Sequence, residues 1–107
     1  MAIHVFRVLK GQQADRDDFL SDEARKKRPR ETSPEGLARH HGFSVWRTEE
    51  HARAVARRFP RLGTYIAEVD LPVDATLLPF RDTPDHLTAF GDPDAFVHAV
   101  VRIVPVN

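Results

Sequence analysis

Residues 48–71 read TEEHARAVARRFPRLGTYIAEVDL, and two periodicities meet inside them. In the first half, apolar groups fall at Ala52, Val55, Ala56 and Phe59, the i, i+3, i+4, i+7 spacing of one helix face, with Arg53, Arg57 and Arg58 elsewhere on the circumference. Thr48 carries the side-chain oxygen of a helix cap, and Glu49 and Glu50 follow in the first turn, where the helix dipole favours acids. Pro60 ends the helix, because the residue before a proline is pushed out of the helical region. Past Arg61, Leu62 and Gly63 the period shortens to two. Tyr65, Ala67, Val69 and Leu71 share one face, Thr64, Glu68 and Asp70 take the other, and Ile66 is the one exception to a half-buried strand. A helix feeding directly into such a strand predicts an α+β domain.

The neighbouring segments extend that pattern. Phe43 to Arg47 is a short apolar run that predicts a strand, and Ile3 to Lys10, ending at Gly11, predicts another. In the latter, Ile3, Val5, Arg7 and Leu9 share a face that only Arg7 interrupts. Asp15 to Lys27 reads as a short helix with acids at its start, bases at its end and Phe19, Leu20 and Ala24 as its buried stripe. Ser33, Pro34 and Glu35 supply a cap, a first-turn proline and a first-turn acid for a helix that stops at Gly42. Thr76 to Phe80 and His86 to Phe90 read as strands around a turn at Asp82, Thr83, Pro84 and Asp85. Phe96 to Val106, nearly continuously apolar and fraying at Pro105, reads as a central strand covered on both faces. The expected fold is α+β in a single domain, residues 1–107, with a small mixed or antiparallel sheet and two or three helices in the N-terminal half. No repeat, heptad, low-complexity tract or linker interrupts it.

Composition narrows the class. At 107 residues the chain suits one core, because two would each be too small to hold easily. It is 41% hydrophobic, yet no run approaches the ~20 apolar residues of a membrane span. It has no cysteine, which excludes disulfides, thiol nucleophiles and thiolate metal sites. With no basic-then-apolar leader at its start, the chain is expected to be soluble and cytoplasmic. Its 16 basic and 16 acidic residues cancel, but residues 1–62 hold 14 basic against 9 acidic groups, and residues 63–107 hold 2 against 7. The halves are therefore +5 and −5. Such a split fits either a basic surface that meets an anion or two halves that attract each other.

Several motifs are informative by what they lack. Arg25, Lys26, Lys27, Arg28 and Arg30 crowd five positive charges around Pro29, but no aromatic residues interleave to stack bases, and Asp22, Glu23 and Glu31 flank the run. It reads as a solvated helix end, and nucleic acid is not an expected partner. His40, His41 and His51 match no recurrent zinc spacing, so no metal is expected. His86 and His98 have no partner identifiable from spacing. Ser44 sits in Gly42-Phe43-Ser44-Val45-Trp46, where Trp46 replaces the second glycine of a nucleophile elbow. Glycine-rich dinucleotide and triphosphate cradles are absent too.

Gly42 to Pro72, taken with Phe6-Arg7-Val8 and the stretch His86 to Pro93, resembles a family of small uncharacterised bacterial proteins of about this length. More distantly, the order of elements is similar to the ADP-ribosyltransferase fold and its split sheet. The R-S-E class of that fold has an Arg on its first strand, a Ser/Thr-bearing strand that leads into a helix, and a late catalytic Glu. Arg7 matches the first position, and Ser44 with Thr48 after it matches the second. The resemblance implies an NAD or nucleotide ligand held by Arg7, Ser44, Thr48 and Tyr65, in an enzyme, a toxin-like protein or a catalytically inactive relative. The third position departs from the pattern. The last glutamate is Glu68, and beyond Asp74 only Asp82, Asp85, Asp92 and Asp94 remain. A ligand-facing role would give Arg7 the anionic partner that a buried guanidinium needs. The alternative is an edge-strand Arg7 that snorkels past its neighbours, beside a Ser44 satisfied by backbone. At the level of function, the alternative is a non-catalytic protein-interaction or regulatory module using the basic first half or an exposed strand edge.

Overall fold

A computed structural model describes residues 3–21, 42–80 and 83–107. Six strands form one sheet: β1 His4–Leu9, β2 Phe43–Trp46, β3 Tyr65–Asp70, β4 Thr76–Phe80, β5 Thr83–Phe90 and β6 Val100–Pro105. Their order is β4-β5-β2-β1-β3-β6, with every neighbouring pair antiparallel. Helix α1 spans Glu49–Arg58 and helix α2 spans Pro93–His98, and short 3-10 turns cover Arg16–Phe19 and Pro60–Leu62.

Both faces of the sheet are covered, which accounts for the sequence pattern. On one face Val5, Leu9, Phe43, Val45, Ala67, Val69, Leu87 and Ala89 pack under Phe19 and Phe96. The rings of Phe19, Phe43 and Phe96 meet at centroid distances of 5.7, 5.6 and 4.9 Å. On the other face Val8, Trp46, Ile66 and Val106 pack under Ala52 and Ala56 of α1. Ile66, the exception to the alternation of β3, is therefore 1% exposed: it belongs to the face that α1 covers. The small side chains of Ala52 and Ala56 bring the helix close to the sheet. Its start is fixed by Thr48, whose Oγ accepts the His51 N–H at 3.1 Å. Phe59 leaves the expected stripe. It is the residue at which the helix ends, its backbone turns away at φ −126°, ψ 76°, and its ring is 52% exposed.

The helices are not gathered in the N-terminal half. Among the described residues they lie at the middle of the chain and near its end. Asp15 does cap a turn, its side chain accepting from Asp17 N–H while Asp18 bonds back to the Asp15 N–H, but Leu20 is extended at φ −80°, ψ 142° and the turn stops at Phe19. Residues 22–41 lie outside the described residues. With them go the rest of that expected helix, the helix expected before Gly42, the basic run and His40 and His41. The expected central strand from Phe96 to Val106 is instead α2 followed by β6 at the sheet edge. Asp92 caps α2 by accepting the Asp94 N–H, and Pro93 stands in the first turn, where its missing N–H costs nothing. A continuous apolar run does not distinguish a buried helix from a buried strand, and the local cap decides it. The expected turn at 82–85 is shorter, since β5 begins at Thr83. No helix among the described residues is long and apolar enough to cross a membrane.

Two features hold the layers in register. Gly63 adopts φ 152°, and a Cβ there would lie 2.0 Å from the Leu9 carbonyl oxygen. Only glycine lets the chain turn from α1 into β3 so close to β1, where Thr64 N–H donates to that same oxygen at 3.1 Å. A charged network braces α1 against β3 and β6. Arg53 donates to Glu49 at 2.8 Å, and Arg102 bonds both Glu49 and Glu68. The hydrogen bonds from Arg53 and Arg102 hold the Glu49 carboxyl below its ordinary 4.5.

Gly63→Ala should destabilise the fold by at least about 2 kcal/mol, lowering the melting temperature by about 10 °C. Gly11→Ala, with open space around the new Cβ, should stay within about 0.5 kcal/mol; equal melting temperatures for the two would contradict the turn geometry. A carboxyl with a lowered native pKa stabilises the fold above its unfolded pKa and loses that contribution as pH falls through the native value. The stability gap between wild type and Glu49→Gln, read from urea midpoints, should therefore be full at pH 7 and close as pH falls below 4.5; a gap independent of pH would contradict the network.

Candidate functional site

β1 lies between β2 and β3, so Arg7 is not an edge residue. Its side chain emerges on the face of Val5 and Leu9, in the middle of an apolar layer. A guanidinium there needs acceptors, and backbone carbonyls supply them. Nε donates to the Asp18 carbonyl at 3.0 Å, and one terminal nitrogen donates to the Ser44 carbonyl at 2.7 Å. The guanidinium carbon also lies 5.2 Å from the centroid of the Phe43 ring. Arg7 thus joins β1, β2 and the turn that carries Phe19. Arg7 reaches Ser44 through the backbone carbonyl of that residue.

The Ser44 side chain goes the other way. In the antiparallel register Ser44 stands opposite Thr88 and Trp46 stands opposite His86, and all four belong to the face that carries α1. Ser44 Oγ lies 3.0 Å from His86 Nε2. The His86 ring stacks on Trp46, at a centroid distance of 5.2 Å and an interplanar angle of 15°. Thr88 is 4% exposed, whereas Ser44 and His86 are half-buried. Because α1 packs over β1, β2 and β3, the pair lies at the flank of the helix. Trp46 is a buried wall behind it. At the helix start His51 Nδ1 stands 3.5 Å from an Asp85 carboxylate oxygen.

The four residues named from sequence therefore do not line one cleft. Arg7 and Tyr65 belong to one face, where Tyr65 packs against the buried apolar cluster. Ser44 belongs to the other, and the Thr48 hydroxyl is engaged in capping α1. The carboxylates that could stand in for the late glutamate are also placed. Glu68 bonds His4 at 2.7 Å as well as Arg102, and it lies three strand spacings, about 14 Å, from His86. Asp92 caps α2 and Asp94 pairs with Arg16. Asp85 precedes His86 in the chain, and its carboxylate faces His51. Asp82 lies outside the described residues.

His86 is the functional group that sequence reading left without a partner. Its contact with Ser44 spans 42 positions and exists only in the β2–β5 register. No group of three or more metal-ligating side chains occurs among the described residues. Comparison with protein-family models, curated proteins and solved structures finds no match to this chain.

Arg7→Met keeps most of the side-chain volume but leaves the carbonyls of Asp18 and Ser44 without their donor, which should destabilise the domain by about 2–4 kcal/mol. A urea unfolding midpoint equal to that of wild type would contradict the bracing role.

Proposed function

We propose that this domain binds a nucleotide of the NAD class at the flank of α1, with Ser44 and His86 as the polar contacts. The observation that carries this reading is the half-buried Ser44–His86 hydrogen bond set against Trp46. A sheet face that otherwise packs Val8, Ile66 and Trp46 under a helix here carries a hydroxyl and an imidazole side by side. Such a pair can hydrogen-bond a ribose hydroxyl or a phosphate oxygen. The class of ligand comes from the resemblance to the ADP-ribosyltransferase fold, in which a strand bearing a serine leads into a helix as β2 leads into α1.

In this reading the residues named from sequence divide the work. Ser44 faces the ligand. Arg7 holds the Ser44 carbonyl from the opposite face and so fixes the position of the hydroxyl; it is a positioning residue and makes no ligand contact. Thr48 orients the first turn of α1, which carries His51 toward Asp85. Tyr65 serves the core. The reading is one of binding. A transfer reaction would further need a carboxylate beside the pair.

NAD should raise the melting temperature by several degrees at concentrations well above its dissociation constant, because a ligand that binds only the folded state stabilises it by mass action. Ser44→Ala should abolish the rise while melting within a few degrees of wild type when no ligand is added. No shift at millimolar NAD would overturn the reading, and so would an undiminished shift in Ser44→Ala.

A further inference from the structure

At the C-terminal end of α1 the surface changes character. Phe59 is 52% and Leu62 43% exposed, and between them in the chain stands Pro60, which with Ala56, Arg57 and Val106 lines a cleft of about 150 Å³. Isolated exposed apolar residues are ordinary, but an apolar pair beside a concave surface is characteristic of docking sites. The charge around it has one sign. Arg57 lines the cleft, Arg58 and Arg61 stand close to Pro60 in the chain, and Lys10 completes the group; all four are exposed. Lys10 donates to the Arg61 carbonyl at 2.6 Å, which ties the end of β1 to this rim. Arg57 bonds the Asn107 side chain and the Val106 carbonyl, and the Arg58 guanidinium lies 5.3 Å from the Phe59 ring centroid. Among the described residues no carboxylate pairs with any of these four cations. By contrast, Arg16, Arg53 and Arg102 each pair with an Asp or Glu. The dipole of α1 accounts for cations at Arg57 and Arg58, at its C-terminal turn, but not for Arg61 and Lys10, which lie outside the helix.

We propose that this end of the domain docks an acidic peptide segment of a protein partner that presents an apolar side chain to the cleft. The four cations supply steering and specificity for the acidic residues, and Phe59, Leu62 and Pro60 receive the apolar one. Nucleic acid fits less well. One face of the Phe59 ring is already covered by Arg58, and the aliphatic groups of Leu62 and Pro60 have no counterpart on a phosphate backbone.

The probe is a fluorescently labelled peptide in which Asp and Glu surround a Leu and a Phe, titrated with the full chain and followed by anisotropy at increasing salt. Binding that weakens with salt is expected, since exposed charges are screened over about 10 Å at 0.1 M. The double variant Arg58→Glu/Arg61→Glu should lose about tenfold or more in affinity and flatten the salt dependence, while its circular dichroism melt stays close to wild type. Phe59→Ala/Leu62→Ala should weaken binding without changing the salt slope. The proposal is overturned if the peptide fails to bind at low salt or if the charge reversal leaves affinity unchanged. It is also overturned if a single-stranded oligonucleotide of equal charge binds as tightly through the same residues. Concentration-dependent self-association that the peptide cannot displace, seen by light scattering, would assign the surface to a second copy of the chain instead.

Discussion

A cation in the middle of an apolar sheet face is the constraint around which this domain is arranged. Arg7 cannot be desolvated without acceptors, and the fold brings two backbone carbonyls to it, from Asp18 and from Ser44. Meeting that demand fixes three things together. The turn at Arg16–Phe19 is held over β1, which seats Phe19 against Phe43 and Phe96. β2 is held beside β1 by more than its short ladder. The backbone of Ser44 is anchored from one side of the sheet while its hydroxyl is presented on the other. The aromatic layer and the polar pair are thus two consequences of one guanidinium, and the binding reading places the ligand opposite the charge that organises it.

The parts of the fold legible in the sequence were those with a clean period. α1 and β3 followed from residues 48–71, down to the Thr48 cap and the end at Pro60, and β1 and β2 from short apolar runs. What failed was the segment with no period. Phe96 to Val106 is apolar almost throughout, and the signal that splits it into helix and edge strand is the cap at Asp92 and Pro93, just before the run begins. Phe59 matched the α1 stripe in spacing yet sits where the helix unwinds, because spacing does not register the change of backbone direction ahead of a proline. Helices expected early in the chain fell largely on residues 22–41.

The site was legible to a similar depth. Arg7 stood out as the one cation on an apolar face, and where an anionic partner was expected it finds acceptors in two backbone carbonyls. The partner's identity was not readable, because every residue carries a carbonyl and only the fold selects which ones converge. Ser44 was singled out by its place before a helix, but His86 acquires meaning only once β5 pairs with β2 and puts the imidazole beside the hydroxyl. Neutral composition was also a poor guide to the surface. The excess of cations in residues 1–62 reappears as an exposed basic group beside Phe59 and Leu62, at the C-terminal end of α1, that pairs with no carboxylate among the described residues.

The division of roles between Arg7 and Ser44 is the central claim, and nitrogen-detected proton NMR of the uniformly labelled chain tests it most directly. On addition of NAD, the amide of Ser44, the indole of Trp46 and the imidazole of His86 should shift together, while the Arg7 guanidinium Nε–H, already donating to Asp18, keeps its position. Shifts centred on Arg7 and Tyr65, or none anywhere on the sheet, would contradict the account.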